Sequence, residues 1–118
     1  MVDIVTEEML SGIVKENGIV LVDVFADWCP PCRRMAPVLD AFAERHPECR
    51  VVKVDADRNE GICREFRIRY IPTLMVYRDG RMVGSRSGSV SLEDLEAWVE
   101  SVKDGGAAPI RKGLKVTP

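Results

Sequence analysis

The stretch that most constrains the fold is a run of seven residues at 19–25, Ile-Val-Leu-Val-Asp-Val-Phe. It is β-branched or aliphatic almost throughout, which is typical of a strand covered on both faces in a parallel sheet. From Pro31 to about His46, apolar residues recur at spacings of three and four, so a long amphipathic helix follows directly. We expect Pro37 to remove one hydrogen bond of that helix and to kink it.

The rest of the chain predicts further alternation of helices and strands. The other predicted elements are a helix over 6–16, a strand over 50–55, a short helix over 59–66, a hairpin of strands 73–78 and 81–87, and a last helix from Ser91 to the Asp104-Gly105-Gly106 stop. Thr6 and Ser91 are the expected N-caps, Asn17-Gly18 the expected left-handed helix end, and Asp79-Gly80 the tight turn. The pattern predicts an α/β fold with a central mixed sheet of four to five strands and helices on both faces.

The length of 118 residues and the composition fit a single domain. With 46% hydrophobic and 31% charged residues, the chain has ordinary globular character. We place the domain at 1–104 and a flexible tail at 105–118, which is broken by glycine and proline and carries Arg111, Lys112 and Lys115. The net charge is −2 and no basic stripe interleaves with aromatic residues, which argues against nucleic acid as a partner.

No targeting or membrane segment is visible. Residues 1–20 lack the order of a signal peptide and hold Asp3, Glu7 and Glu8. The longest apolar stretch, 19–26, is interrupted by an aspartate and is far shorter than the ~20 residues that span a bilayer. We therefore expect a soluble, cytoplasmic protein without membrane contact. A mature chain that had lost its signal peptide has the same appearance, so a periplasmic origin stays open.

The most informative motif is Trp28-Cys29-Pro30-Pro31-Cys32, at the junction of the central strand and the long helix. A thiol at this position lies beside the positive end of the helix dipole and unpaired backbone donors, which favour its thiolate. Cys29 is therefore the expected nucleophile, and Cys32 lies close enough to form a disulfide with it. So short a loop contributes only on the order of 2 kcal/mol to stability, so the bond suits exchange better than stabilisation.

The two prolines between the cysteines change the environment of the first sulfur. Neither has a backbone N–H, so Cys32 and Arg33 are the nearest amide donors to Cys29, and stabilisation of its thiolate is slightly weakened. We expect the helix to start at Pro31, because a proline disfavours helical geometry at the residue before it. A stiffer loop also loses less entropy when the disulfide closes, so the sign of the effect on the redox potential stays open.

A Cys-x-x-Cys pair also occurs as half of a zinc site, which Cys49 and Cys63 could complete. Thirteen residues lie between these two cysteines and no second close pair exists. We therefore interpret them as ordinary small residues, with Cys63 partly buried. No metal and no cofactor is expected.

Asp23 interrupts an otherwise apolar strand. Burial of an ionised carboxyl is costly, so we expect a raised pKa and a role as proton acceptor near the dithiol. Lys53, on the neighbouring strand, is expected to pair with it and to moderate the shift. The alternative interpretation has Asp23 facing solvent at a strand end and Lys53 as a solvated edge residue. His46, before Pro47 at a helix end, is interpreted as a cap or solvated residue and not as catalytic.

Several separated segments together resemble the thioredoxin family over about residues 3–103. They are 22–32, Ala36-Pro37, Lys53-Val54-Asp55, Ile71-Pro72-Thr73, Gly80 and Gly88. The combination of Trp-Cys-x-Pro-Cys with Ile-Pro-Thr about forty residues later is highly specific. The resemblance implies a thioredoxin fold and reversible dithiol–disulfide exchange with client proteins. It also implies a cis peptide bond before Pro72, although an X-Pro bond taken alone is trans about nineteen times in twenty.

The resemblance implies a role for each matching residue. Cys29 resembles the attacking thiolate, Cys32 the resolving thiol, Asp23 the acid that helps to deprotonate Cys32, and Lys53 its partner. The expected surface for the target peptide comprises Trp28, Pro30, Ile71, Pro72 and Gly88. The sequence departs from the family pattern at Phe25, Pro30, Tyr70 and Ser87, which concerns the docking surface more than the chemistry.

We therefore predict a protein-disulfide reductase that is a monomer and receives electrons from a flavoprotein, thioredoxin reductase. Two alternatives stay open. One is a specialised disulfide oxidase or maturation protein of the same fold, and the other is a non-catalytic binding module in which the cysteines merely persist.

Overall fold

The computed structural model describes residues 2–104, through which a five-stranded sheet runs. The strands are β1 (Asp3–Ile4), β2 (Ile19–Phe25), β3 (Cys49–Asp55), β4 (Thr73–Arg78) and β5 (Arg81–Ser87). Their order across the sheet is β1-β3-β2-β4-β5. β3 pairs in parallel with β1 and β2, whereas β4 pairs antiparallel with β2 and β5. The predicted mixed sheet with a central β2 is confirmed; the two-residue β1 is too short to leave a periodic pattern and was missed.

Helices cover both faces of this sheet, as predicted. They are α1 (Glu7–Glu16), α2 (Pro30–Arg45), α3 (Glu60–Glu65) and α4 (Leu92–Val102), with a 3₁₀ turn at Ala56–Arg58. α1 and α3 pack on one face, and α2 and α4 pack on the other. In this part of the chain, no helix has the length and apolar character needed to cross a membrane. The predicted tail at 105–118 lies outside the described residues.

The alternation of side chains along β2 explains its unbroken apolar sequence. Val20, Val22 and Val24 pack against α1 and α3, whereas Leu21 packs against α2 and α4. Because each face of the strand is covered, both sets must be apolar. By the same alternation, Asp23 lies on the face that α2 and α4 cover.

The ends of α1 differ from the prediction. The Thr6 side chain makes no capping hydrogen bond: Met9 N, a usual donor to an N-cap side chain, donates instead to the Thr6 carbonyl at 3.1 Å, and Glu7 N donates to Asn59 Oδ1 at 2.9 Å. Asn17 is extended, with φ −124° and ψ 144°, and not left-handed. The chain passes directly into β2, and the Gly18 carbonyl accepts a hydrogen bond from Asp79 N at 2.8 Å, which requires this extended course.

The other two predicted end signals are confirmed. Ser91 Oγ caps α4 by accepting a hydrogen bond from Asp94 N at 3.1 Å. Asp79 and Gly80 join β4 to β5 with φ values of 52° and 86°. A two-residue turn of type I′ needs positive φ at both positions, because only that backbone twist matches the two strands.

Candidate active site

The candidate site lies where β2 ends and α2 begins. Cys29 is the N-cap of α2, with an extended backbone at φ −91° and ψ 112°. Pro30 is the first helical residue, one earlier than predicted. The extended backbone ends at Cys29, and the fixed φ of Pro30 already suits the first position of a helix. The sequence therefore places the first sulfur directly at the helix end.

Hydrogen bonding to the first sulfur follows from the missing proline amides. Cys32 N donates to Cys29 Sγ at 3.3 Å. Arg33 N, which was expected to be a second donor, donates to the Cys29 carbonyl at 3.1 Å. One backbone amide within the described chain thus reaches this sulfur, and it belongs to the other cysteine of the pair.

Cys29 and Cys32 form the expected disulfide. Their Cα atoms are 5.2 Å apart, which is within the ordinary range for disulfides. Each residue is only 2% exposed, and the pair contacts Phe25, Ala26 and Ile71. The nucleophile predicted from the sequence is therefore almost completely buried in the disulfide form.

The segment before β4 closes the site from the other side. The Ile71–Pro72 peptide bond is cis, and the Ile71 carbonyl oxygen lies 3.6 Å from Cys29 Sγ. Gly88 N donates to the Pro72 carbonyl at 2.8 Å. Gly88 has a φ of +94°, a conformation that side chains rarely adopt. Ile71, Pro72 and Gly88 are thus brought together beside the cysteine pair.

The rim of the site is exposed. Trp28 is 64% exposed, and its Nε1 donates to Asp57 Oδ2 at 2.8 Å. Pro30 is exposed at the start of α2. Tyr70, next to Ile71, is 71% exposed. The two buried sulfurs are therefore bordered by large side chains that a partner can contact.

Asp23 is fully buried, so its solvent-facing alternative is wrong. In the sheet it lies between Lys53 of β3 and Leu74 of β4. Neither carboxylate oxygen has a hydrogen-bond partner among residues 2–104. Burial raises the pKa of Asp23 to about 7, and the positive charge of Lys53 offsets part of that rise. Such a carboxyl exchanges its proton at neutral pH.

Lys53 is half-buried on β3, which lies inside the sheet and not at an edge. Its Nζ lies 4.3 Å from the centroid of the Phe25 ring. Phe25 belongs to the same buried cluster as both cysteines. Asp23 and Lys53 are register partners in the sheet, and Phe25, two residues after Asp23 on the same face, lies between this pair and the disulfide cluster.

Comparison with known proteins identifies the family. The family model for thioredoxin matches residues 1–101. The chain belongs to the thioredoxin family. A thioredoxin of Chlamydia trachomatis is 34% identical over 102 residues, which is 86% of this chain and 96% of the relative. Thioredoxin 1 of Synechococcus elongatus is 43% identical over 88 residues, which is 73% of this chain and 82% of the relative.

Solved structures agree with this family assignment. A mutant thioredoxin from Halobacterium salinarum superposes with a TM-score of 0.80 at 31% identity, covering 86% of this chain and 90% of the other. With the thioredoxin fold and a disulfide at the start of α2, the chain is a protein thiol–disulfide oxidoreductase.

One residue of this thioredoxin-family site was missed by sequence reasoning. Met35 is predicted only as part of the apolar face of α2, yet its Sδ accepts a hydrogen bond from Val90 N at 3.3 Å. The contact ties the helix that carries Cys32 to the segment that follows Gly88. A methionine at helical spacing is ordinarily a core residue, so no sequence signal marks this contact.

The remaining two cysteines lie away from the pair. Cys49 is buried and Cys63 is partly exposed, and both are free thiols. Among residues 2–104, no group of three or more histidine, cysteine or acidic side chains is placed to hold a metal ion. His46 Nε2 lies 2.7 Å from Glu96 Oε2 at the end of α2, remote in sequence from the thioredoxin motif.

Proposed function

We propose that this thioredoxin-family protein reduces disulfide bonds in client proteins, with Cys29 as the attacking thiolate and Cys32 as the resolving thiol. The observation that carries the proposal is the position of Cys29 Sγ. It caps α2, accepts the N–H of Cys32 and lies within bonding reach of the second sulfur. A helix end and a backbone donor favour the thiolate, which is the reactive form.

The reductase direction is supported by the two prolines. A disulfide exchanger is strongly oxidising when its reduced form is well stabilised. At this site Pro30 and Pro31 have no backbone N–H to donate, and one backbone N–H of the described chain, that of Cys32, donates to Cys29 Sγ. The dithiol therefore gains limited stabilisation from the backbone, which favours donation of electrons to a client.

The proposed reaction consists of two successive thiol–disulfide exchanges. The Cys29 thiolate attacks one sulfur of the client disulfide, forming a mixed disulfide, and the other client sulfur leaves as a thiolate that takes up a proton. Cys32 then loses its proton and attacks Cys29 Sγ. The Cys29–Cys32 disulfide forms, and the second client sulfur leaves as a thiol. Two electrons pass from the protein to the client.

Asp23 is proposed as the acceptor of the Cys32 proton. Its raised pKa of about 7 keeps it ready both to accept and to release a proton at neutral pH. Lys53 is proposed as its partner, because its charge offsets the burial of the carboxylate. Without that charge, the acid is expected to hold its proton more tightly and to serve as a weaker acceptor.

The proposed client surface comprises Trp28, Pro30, Ile71, Pro72 and Gly88. The Ile71 carbonyl faces the reactive sulfur at 3.6 Å, so an extended client segment can pair with this backbone while its disulfide lies against Cys29. Trp28, held by Asp57, supplies an exposed aromatic contact on the opposite rim.

We further propose that a flavoprotein thioredoxin reductase returns the two electrons and that the protein acts as a monomer in the cytoplasm.

The test is reduction of insulin disulfides by the purified protein, coupled to a thioredoxin reductase. We expect Cys29→Ser to lose at least about a thousandfold in rate, because it has no thiolate. Cys32→Ser should instead accumulate mixed disulfides with clients. Cys63→Ser is the matched control and should retain full activity. Unchanged activity in Cys29→Ser would contradict the proposal.

Measurement of the redox potential separates the alternatives. Each 30 mV corresponds to about 1.4 kcal/mol for a two-electron couple. A potential well above the cytosolic range favours a disulfide oxidase. A dithiol that neither reduces insulin nor forms mixed disulfides favours a binding module.

A further inference from the structure

A groove of about 1020 Å³ starts at Thr73, the residue after Pro72, and follows the outer strand of the sheet. Its inner end is at Thr73 and Ser87, which pair across β4 and β5. Thr73 follows Pro72 directly, so this end adjoins the Ile71 carbonyl near Cys29 Sγ. The groove continues along β5 to Met82, between the segment 66–70 and the end of α4. It lies mostly outside the proposed client surface.

All charged side chains that line this groove are positive. Its lining contains Arg67, Arg69 and Arg86 and no acidic residue, although the whole chain has a net charge of −2. Arg67 and Arg69 are exposed, and Arg86 is half-buried. Within residues 2–104 none of the three is in an ion pair, whereas Arg45, Arg50, Arg58, Arg64 and Arg78 are. The groove therefore presents three guanidinium groups without internal counter-charges.

One of these arginines is restricted by a neighbouring aromatic ring, and another lies at an unusual backbone position. The Arg86 guanidinium lies 5.5 Å from the centroid of the Trp98 ring, a cation–π geometry that restricts it. Arg67 follows Phe66, the C-cap of α3, and lies in the left-handed region with φ 53°, where glycine or asparagine is ordinarily preferred.

The backbone along the groove is available for pairing. β5 has one neighbouring strand, β4, in the described sheet, so alternate N–H and C=O groups of β5 point outward. The ladder has an irregularity opposite Val76 and Tyr77, but Gly84–Ser87, the end nearer the cysteines, is in register. An extended segment can add to this edge as a further strand.

We infer that this groove binds an acidic, extended segment of the client polypeptide, adjacent to the disulfide that is reduced. The inference rests on the proposed reductase function and adds a substrate preference to it. At about 3.4 Å per residue, the six residues from Ser87 to Met82 correspond to roughly six client positions beyond the reacting cysteine. The segment 105–118 has the wrong charge for this groove, because it carries three basic residues and no acidic one.

The experiment compares three disulfide peptides that differ only in their flank. Each has the same intramolecular disulfide, followed by six residues that include three glutamates, three glutamines or three lysines. Single-turnover reduction by the pre-reduced protein is followed at low salt. An exposed arginine–carboxylate contact contributes up to about a fivefold factor. We therefore expect the glutamate peptide to react roughly tenfold faster than the glutamine peptide, and the lysine peptide to be slowest.

Variants locate the preference. In Arg67→Gln/Arg69→Gln/Arg86→Gln the glutamate and glutamine peptides should react at equal rates, and each single variant should lose about twofold of the roughly tenfold preference. Arg81→Gln is the matched control, since it is an exposed arginine on β5 outside the groove lining. It should keep the preference, and ~1 M salt should remove it from the parent protein, because the Debye length falls to about 3 Å.

The outcomes distinguish the two proposals. If the glutamine peptide is reduced and the glutamate peptide gains nothing, the groove inference is overturned and the reductase proposal stands. If no peptide is reduced, the reductase proposal fails. In that case, calorimetric titration with peptides that carry the same flanks but serine in place of cysteine measures binding to the groove independently of reduction. A dimer in sedimentation that the triple variant abolishes would assign the groove to a second copy of the chain and overturn the client assignment.

Discussion

Cys29 and Cys49 are both buried, yet their surroundings predict opposite chemistry. Cys29 is 2% exposed and Cys49 is 7% exposed, so burial alone makes Cys29 the less reactive thiol. Cys29 caps a helix and accepts a backbone N–H. Cys49 begins the strand β3 and packs with Leu21 and Leu39 in an apolar cluster. From this contrast we predict that backbone dipoles, more than exposure, set the reactivity of each thiol.

Most charges around the free thiols act in the same sense as burial; the exception is Arg64, which lowers the pKa of Cys63. Burial raises the pKa of Cys49 to about 12, with a further rise from Glu48 and a partial offset from the Leu21 backbone. Burial also raises the pKa of Cys63, and the carboxylates of Glu7, Asp57 and Glu60 raise it further. Both thiols are thus held in the unreactive neutral form.

The largest expected effect is the difference in alkylation between these thiols in the reduced protein. At pH 8, a thiol with a pKa of about 12 is ionised to roughly one part in ten thousand, whereas an unperturbed cysteine is ionised to roughly a fifth. We expect Cys29 to react with iodoacetamide at least about a thousandfold faster than Cys49. Time-resolved peptide mass spectrometry measures both rates in one sample.

The same labelling experiment can contradict the predicted difference between Cys29 and Cys49. If Cys29 and Cys49 are labelled at similar rates, burial dominates and the helix end contributes little. Labelling in urea is the control, since unfolding removes both environments and should make the four cysteines equivalent within a few-fold.

Most of the fold was predictable because long elements carry strong periodic signals. The seven-residue run of β2 and the Asp79-Gly80 turn each specified their structure locally. The end of α1 was not predictable, because Asn17 adopts an extended conformation through a contact between Gly18 and Asp79, which lie sixty-one residues apart. Local end signals are overridden where distant segments meet.

The site was predictable in its residues and less so in its contacts. The Cys-Pro-Pro-Cys spacing determines which amide reaches Cys29, since proline has none. The contact of Met35 Sδ with Val90 N depends on how α2 packs against the segment after β5, and the depth at which Cys29 is covered depends on Phe25, Ala26 and Ile71. Such packing is a property of the assembled layers and leaves no mark in a single sequence.

Asp23 tests whether burial acts on a carboxyl as it does on Cys49. The unfolded carboxyl titrates near 3.8 and the folded one near 7, so the folded state binds more protons between these values. Stability from this group is therefore full below about pH 4 and is lost as the pH rises through 7. Asp23→Asn has no such loss, so its stability relative to the parent should rise by roughly 2–4 kcal/mol between pH 4 and pH 8.

Urea unfolding of the oxidised proteins at a series of pH values measures this difference. Asp40→Asn, an exposed position on α2, is the matched control and should show no pH-dependent gain. A stability difference between Asp23→Asn and the parent that stays constant from pH 4 to pH 8 would contradict a raised pKa.

A smaller effect is expected from removal of the free thiols themselves. Cys49→Ala deletes a buried sulfur from the cluster of Leu21 and Leu39, so we expect a loss of about 1 kcal/mol in the free energy of unfolding. Cys63→Ala, at a partly exposed helix position, should change it by less than about 0.5 kcal/mol. Insulin reduction should be unchanged in both variants. A loss of activity in either would contradict the assignment of Cys49 and Cys63 as cysteines that only pack and do not react.

The smallest expected effect concerns the charges around Cys63. Glu60 lies in the first turn of α3, and its carboxylate raises the pKa of the thiol. Glu60→Gln removes that charge, so the thiolate fraction and the alkylation rate of Cys63 should increase about twofold at low salt. Glu93→Gln alters the corresponding first-turn acid of α4 and should leave the rate unchanged. If Glu60→Gln leaves Cys63 as slow as before, burial alone keeps this thiol neutral, and the contrast with Cys29 depends on the helix end without help from the surrounding acids.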